Sequence, residues 1–236
     1  MEDGVPIRPM GVFNHNALLE MNQFTVSSIE VVKGPVASVY GPEAVGGAVN
    51  FITQRPTAVP TARLGIQVDQ WGYQRLQVGA GAQRGKFGIY VGGFVSRQRD
   101  SWMASSDYDK SSYFTRLEYA FTPQTRLTGT FSYNDYNSQT SGSVDSTAFF
   151  ARNYVSTTDF TYRKTESLRS RLTLEHDWKN GMAQTFVTAF LRSNSVGQNP
   201  TYSIRWTTGS ATATGQINSN DFRSYGFIAQ HTQRFR

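Results

Sequence analysis

At 236 residues the chain can hold one large domain or two smaller ones and bury a sizeable core. Its hydrophobic share is only 38%, yet 14% is aromatic and 21 residues are glycine, which excludes a disordered chain and an α/β enzyme of continuous apolar blocks. The net charge of +6 favours anionic partners such as lipopolysaccharide, an acidic solute or nucleic acid, unless it samples a basic part of a larger molecule.

Cysteine is absent, which removes disulfides and thiolate metal sites, and His15, His176 and His231 are too dispersed to form a metal cluster. The opening MEDGVPIRP has neither the basic region nor the apolar stretch of a secretory signal. No run of about 18 apolar residues follows to span a bilayer as a helix. Either the protein is soluble or an export signal lies upstream.

Residues 8–23 read RPMGVFNHNALLEMNQ. The first half mixes a cation, aromatics, an amide and a histidine between turn formers. The second half predicts a short helix over 16–21 with Leu18 and Leu19 packed inward. Residues 29–32 form an apolar run suited to a sheet interior. Gly34-Pro35 ends it, because glycine reaches positive φ and proline cannot extend a ladder. One helical turn over 35–40 stops at Gly41-Pro42. Gly46-Gly47 then permits a sharp reversal into a second strand over 48–52. The glycines do not signal a phosphate cradle, since GPEAVGGAVN lacks the Gly-Lys-Ser/Thr ending and opens no helix.

Composition shifts at residues 56–60, and residues 62–236 read as successive alternating strands. Leu64, Ile66 and Val68 share one phase, with Arg63, Gln67 and Asp69 on the other. The same alternation recurs in Leu76–Val78, in Phe87, Ile89, Val91 and Val95, in Tyr113 and Leu117, and in Leu168, Leu172 and Leu174. Residues 182–194 and 223–235 are strands of less clean phase. Tight turns at 83–86, 122–125 and 179–181 alternate with long polar stretches at 98–110, 137–165 and 196–222. Short turns on one rim and long loops on the other mark an outer-membrane barrel, as do strands of about 9–13 residues tilted near 45°. Arg63, Arg75, Arg116, Arg126, Arg169 and Arg171 all fall on the polar phase. Facing lipid each would cost about 2–4 kcal/mol near the midplane, whereas a wet or protein-filled lumen accepts them. Tyr73, Tyr113, Phe121, Tyr136 and Trp178 are expected in interfacial girdles.

The stretch from 28 to 53, SIEVVKGPVASVYGPEAVGGAVNFIT, resembles the end of the plug domain of TonB-dependent outer-membrane receptors. The resemblance rests on Ile29-Glu30-Val31, Lys33-Gly34-Pro35, Ser38, Tyr40-Gly41, Ala44, Gly46-Gly47, Asn50, Ile52 and Thr53. The upstream Asp3-Gly4-Val5-Pro6-Ile7 looks like a plug strand of the same family. It implies a mainly all-β protein: an antiparallel transmembrane β-barrel portion behind an N-terminal α+β plug remnant. Residues 1–56 would be the C-terminal part of the plug and 62–236 the first strands, about eight, of an incomplete barrel. Such barrels need about 22 strands, and the TonB-contacting segment and first half of the plug are not in this sequence. The chain is thus expected to be an internal fragment of a longer protein or a truncated gene product.

The resemblance further implies a receptor that binds a scarce extracellular ligand, a ferric siderophore favoured, and transports it actively into the periplasm. Haem, cobalamin and glycans stay open. Its partners would be the TonB–ExbB–ExbD complex, a small-molecule or metal-chelate substrate and outer-membrane lipopolysaccharide, with no nucleic acid. Segment 8–23 corresponds by position to an apical plug loop, which puts Arg8, Met10, Phe13, Asn14 and His15 against substrate. Phe149, Phe150, Tyr154 and Trp206 are further stacking candidates. Glu30 and Lys33, with the lumen-facing arginines, are expected to form salt bridges between plug and barrel wall. No catalytic constellation is legible, and neither cofactor nor resident metal is expected. The competing readings are a passive small barrel or adhesin, which has no use for a plug motif, and a soluble β-rich binding module.

Overall fold

The computed structural model describes residues 1–7, 20–41, 44–178 and 181–234. Asp3 and Gly4 both take positive φ, +44° and +81°, so the chain reverses at once. Glu2 and Val5 then exchange backbone hydrogen bonds of 2.9 and 3.0 Å. Two successive left-handed residues make the turn that Asp-Gly pairs favour. A parallel bridge from Glu2 to Phe51 ties this turn to the hairpin that follows. There β1 (Val26–Lys33) pairs antiparallel with β2 (Gly47–Thr53), and the one-turn helix α1 (Ala37–Tyr40) lies between them. The breakers act as the sequence predicts: Gly34 and Gly41 sit at φ +96° and +99° on either side of α1. The interior placement of 29–32 is corrected, because Ile29 and Val31 are exposed. A two-stranded sheet has a second face, and no described residue covers it.

The second sheet is larger. It comprises β3 (Thr61–Val68), β4 (Tyr73–Arg84), β5 (Phe87–Gln98), β6 (Tyr108–Ala120), β7 (Thr125–Gln139), β8 (Tyr162–Trp178), β9 (Ala183–Asn199) and β12 (Asn218–Gln233). Each strand pairs antiparallel with the next in this order, giving one eight-stranded sheet with β3 and β12 as its edges. The loop between β7 and β8 carries a short helix, α2 (Ser146–Phe150), whose first turn is capped by the Asp145 carboxylate at 2.7 Å. The loop after β9 carries a two-residue hairpin, β10 (Arg205–Trp206) with β11 (Ala213–Thr214).

This sheet is inside out by the standard of a water-soluble protein. Leu64, Leu117 and Leu172, which a sealed soluble core would hide, are 71%, 42% and 51% exposed. The buried residues of its opposite face are largely polar: Ser112, Arg116, Thr130, Ser132, Asn134, Ser167, Arg169 and Arg192. Tyr90, Phe94 and Phe114 are the aromatic exceptions on that inner face.

The outward apolar band has a definite height. On β8 it runs from Leu168, beside Tyr133, to Trp178. At about 3.3 Å per residue and the tilt usual in barrels, that stretch rises about 25 Å, the height of a lipid-facing band. Beyond Leu168 the outward rung turns polar, with Ser111, Asp135, Glu166 and Ser195 as cross-strand neighbours. The strands reach 17 residues, longer than expected, because β7, β8 and β9 continue past the band on the long-loop side.

Candidate functional site

Pairing register sets the inner face in rungs. Arg169 and Arg192 are direct neighbours across β8 and β9. In the next rung toward the short turns, Arg116 and Arg171 flank Thr130. All four arginines therefore converge on the Asp3-Gly4 turn. Arg171 Nη2 donates to Asp3 Oδ2 at 2.5 Å, and its Nη1 donates to the carbonyls of Glu2 and Asp3, both at 3.1 Å. Arg116 stands 3.6 Å from the same Asp3 oxygen, donates to Thr53 Oγ1 at 3.1 Å and holds Glu118 at 2.6 Å. Arg169 Nη2 donates to the Glu2 carboxylate and to the Glu20 carbonyl, both at 2.8 Å. Glu20 is fully buried; its carboxylate accepts from Asn194 at 2.5 Å and lies 3.9 Å from Arg169. Arg192 donates to Pro6 O at 2.5 Å and to Ser224 Oγ at 3.0 Å.

Such pairs are expensive to break. Deleting one member of a buried ion pair costs about 3–5 kcal/mol, since the other charge is stranded away from water. Asp3 shows the balance. Burial pushes its carboxyl up, but Arg171 and the backbone and hydroxyl donors of Thr53, at 2.8 and 2.6 Å, outweigh burial and hold it below the usual carboxylate range.

Across β4 and β5 the contact is apolar and close. A Cβ on Gly79 would stand 3.0 Å from Phe24, and one on Gly88 would stand 2.9 Å from Pro56. Only a bare backbone admits the hairpin segment there.

At the long-loop end, the mouth, the inner face becomes aromatic and cationic. Tyr108 stacks obliquely on Tyr73 and Tyr136, with ring centroids 6.4 and 6.0 Å apart. Below them the Arg75 guanidinium lies 4.1 Å over the Phe94 ring, and Lys110 approaches it to 5.6 Å. This corrects the girdle assignment. Tyr113, Phe121 and Trp178 do face outward, but Tyr73 and Tyr136 share the phase of Arg75 and Thr130 and turn inward. Above the mouth the first two long loops join: Trp102 meets Tyr154 edge-on at 5.0 Å, and Tyr154 meets Phe149 at 6.1 Å. Phe150 packs on Phe149, whereas Trp206 stands apart with Phe160 at 6.0 Å.

The sequence-predicted substrate residues Arg8, Met10, Phe13, Asn14 and His15 lie outside the described residues, as does most of the helix expected at 16–21. Of the six polar-phase arginines, Arg116, Arg169 and Arg171 form the clamp, and Arg75 lines the mouth. Arg126 lies 3.9 Å from Glu118, and Arg63 is exposed on the edge strand. Glu30 and Lys33 do not meet the wall. Glu30 accepts a hydrogen bond from Asn50 at 2.9 Å, and both side chains are exposed. Of the carboxylates that do meet it, Glu2 and Glu20 carry no sequence signal and Asp3 is marked only as part of a plug-strand resemblance, not as a partner of the wall; Arg192 is likewise unmarked. Among the described residues no group of His, Asp and Glu has the makings of a metal site.

Comparison with known proteins places these features. Residues 1–48 match the family model of the TonB-dependent receptor plug domain. The metal-pseudopaline receptor CntO of Pseudomonas aeruginosa is 40% identical over 47 residues, 20% of this chain and 7% of that protein. The ferripyoverdine receptor of the same species is 26% identical over 144 residues, covering 59% of this chain and 17% of that protein. The crystal structure of the P. aeruginosa ferripyoverdine receptor superposes on the whole chain with a TM-score of 0.78 at 17% identity. The siderophore receptor PiuA of Acinetobacter baumannii superposes on 90% of it with a TM-score of 0.71 at 16% identity. In both, the chain spans 33% of the solved receptor. Members of this family are receptors and transporters, not enzymes. The chain therefore carries a TonB-dependent receptor plug domain set against strands with the fold of receptor barrels, and its place is the outer membrane of a Gram-negative bacterium.

Proposed function

We propose that this chain is the plug's C-terminal part, residues 1–56, with the first barrel strands, residues 62–236, of a receptor that takes up an anionic metal chelate, a ferric siderophore first. The carrying observation is the pairing of an apolar outer face with an inner face whose arginines grip the plug turn. A wall built this way serves a lumen that must be shut at rest and opened on demand. The aromatic and cationic mouth supports the ligand class, since Tyr73, Tyr108 and Tyr136 offer rings and hydroxyls beside the charges of Arg75 and Lys110. The relatives, receptors for metal-pseudopaline and ferripyoverdine, point the same way.

In this reading further strands close the barrel, to about 22 in all. The TonB–ExbB–ExbD complex pulls on a plug segment outside residues 1–236, and the lipid-facing band contacts lipid and lipopolysaccharide. Arg8, Met10, Phe13, Asn14 and His15 form the apical plug loop that meets substrate. The test is growth of a receptor-deleted strain, complemented with the complete receptor, on single iron sources. Rescue on one ferric siderophore, lost when TonB is deleted, is the expected result. No rescue on any iron source sinks the siderophore assignment. Phe13→Ala with His15→Ala should weaken ligand binding with normal membrane insertion; unchanged affinity removes the apical-loop assignment.

A further inference from the structure

We propose that the arginines gripping the plug turn are also a binding site for oxyanions. The acidic turn occupies this site at rest, and an anionic cargo takes its place when the turn withdraws. The inference rests on the uptake reading above and adds a site to it, on the inner wall below the mouth.

The charge pattern of the wall carries the argument. From the rung of Arg75 and Lys110 down to the rung of Tyr90 and Arg116, no inward position on the paired strands is Asp or Glu; Asp69 lies one rung above, opposite Tyr73. Cations stand at intervals along it: Arg75 and Lys110 at the mouth, Arg169 and Arg192 two rungs lower, Arg116 and Arg171 one rung below those. Two rungs are about 13 Å along a strand. A wall that only held a plug would gain by carrying its own counter-charges, since buried arginines without carboxylates are costly. Here carboxylates reach these rungs almost wholly from the plug side, as Glu2, Asp3 and Glu20. The wall's own acids, Glu118 and Glu175, begin in the rungs beneath, toward the short turns. A mobile anion would thus meet favourable charge down to the clamp and opposing charge just past it, where release is required.

The grip is also incomplete. Arg192 meets backbone and a hydroxyl but no carboxylate among the described residues. Nε and Nη1 of Arg169 and Nε of Arg171 are buried without a hydrogen-bond partner among them. Arginine presents five donors in a planar fork, so the cluster has donors left over for an oxyanion. Space adjoins one side of it: an open cleft of about 710 Å³ lies beside Asp3, lined by Arg55, Arg116 and Arg171 with Glu175 at its lower end, whereas the gap against Arg169 and Arg192 is only about 20 Å³ while the turn is in place. The oxygens of Glu2 and Asp3 then stand where carboxylate, phosphate or catecholate oxygens of a cargo would bind.

If turn and anion compete for the same guanidiniums, an anion must loosen the turn. The chain has no cysteine, so Val5→Cys in the complete, detergent-solubilised receptor gives a single reporter wherever the remainder also lacks one, or after other cysteines are replaced by serine. Inorganic pyrophosphate is the probe and maleimide labelling the readout. At about ten dissociation constants of pyrophosphate, mass action predicts about tenfold faster labelling. Potassium chloride of equal ionic strength should change the rate by less than about twofold, because buried pairs are poorly screened. Arg192→Gln should abolish most of the pyrophosphate response, and Arg192→Lys should keep it. Equal acceleration by chloride, no acceleration, or loss of the response in both Arg192 variants overturns the site. Normal iron uptake with no pyrophosphate response also overturns it while sparing the uptake reading. A pyrophosphate response in a receptor that rescues growth on no iron source supports the site and removes the siderophore assignment instead.

Discussion

The plug segment touches two stretches of one wall by different physics. Against β4 and β5 it relies on contact, with Phe24 and Pro56 seated where Gly79 and Gly88 leave no side chain. Against β6, β8 and β9 it relies on charge, with Glu2, Asp3 and Glu20 held by Arg116, Arg169 and Arg171. Close packing is short-ranged and lost within an ångström of separation. A guanidinium can exchange one oxygen for another and stay satisfied. The contact side can act as the fulcrum of a moving plug, and the charged side as the part that lets go.

The largest expected effect comes from breaking the charged side. Asp3→Ala strips Arg171 of its carboxylate and leaves Arg116 with Glu118 alone, and should destabilise plug docking by about 3–5 kcal/mol. Hydrogen exchange of the plug amides in the complete receptor would read this as faster local opening. Asp3→Ala with unchanged exchange would show that contact alone seats the plug. Acid should act through the same group. The folded-state pKa of Asp3 lies below the ordinary aspartate value of 3.8, so its contribution is complete above that value and is lost as pH falls through the lowered one. Plug exchange should therefore be insensitive to this group from pH 7 to about 5 and rise below about 4. A rise centred near pH 6 would point elsewhere.

The next effect concerns the outer face at the same depth. Leu117 and Leu172 lie in one outward rung midway up the apolar band, close in height to Arg116 and Arg171 on the inner side. Leu117→Arg should cost about 2–4 kcal/mol, because lipid offers no counter-charge. Denaturant unfolding of the complete receptor in bilayers would measure it. A cost near zero would place this rung outside the lipid.

The contact side should respond less. Gly88→Val forces a side chain against Pro56, an overpacking expected to cost about 1–3 kcal/mol in plug docking, again by hydrogen exchange. A cost above that of Asp3→Ala would reverse the division of labour between the two stretches.

How much of this was legible follows from what is local. The period of two placed Leu64, Leu117 and Leu172 outside and Arg116, Arg169 and Arg171 inside, because alternation is written within each strand. The phase of β9 was blurred, since Phe186, Phe190 and Arg192 all point inward while Val187 and Leu191 point out. That blur hid Arg192 and Asn194. Tyr73 was assigned to a girdle from its place near a strand end, although its spacing of two from Arg75 already put it inside. The partners of the arginines were the least legible part. Arg169 meets Glu2 across 167 positions of sequence, and no local pattern marks which acid will arrive. Glu30 lay in the plug motif, whereas Glu2 and Asp3 lay in a turn that positive φ and two hydrogen bonds fix in place.

The smallest effect sharpens the comparison most. Arg99, just past β5, and Asp109, at the start of β6, meet at 2.5 Å, the same separation as Arg171 and Asp3. Geometry alone would rank the two pairs as equals. Their surroundings differ: the side chains of Arg99 and Asp109 are 43% and 55% exposed, those of Arg171 and Asp3 only 9% and 14%. Water and salt screen the loop pair, and exposed pairs seldom contribute more than about 1 kcal/mol. A double-mutant cycle of Arg99→Ala and Asp109→Ala should thus give a coupling below about 1 kcal/mol that fades in concentrated salt. The cycle of Arg171→Ala and Asp3→Ala should give several times more and resist salt. Equal couplings would mean that water reaches the clamp as freely as it reaches the loops, and a wet clamp could neither hold the plug at rest nor make an anion's arrival decisive.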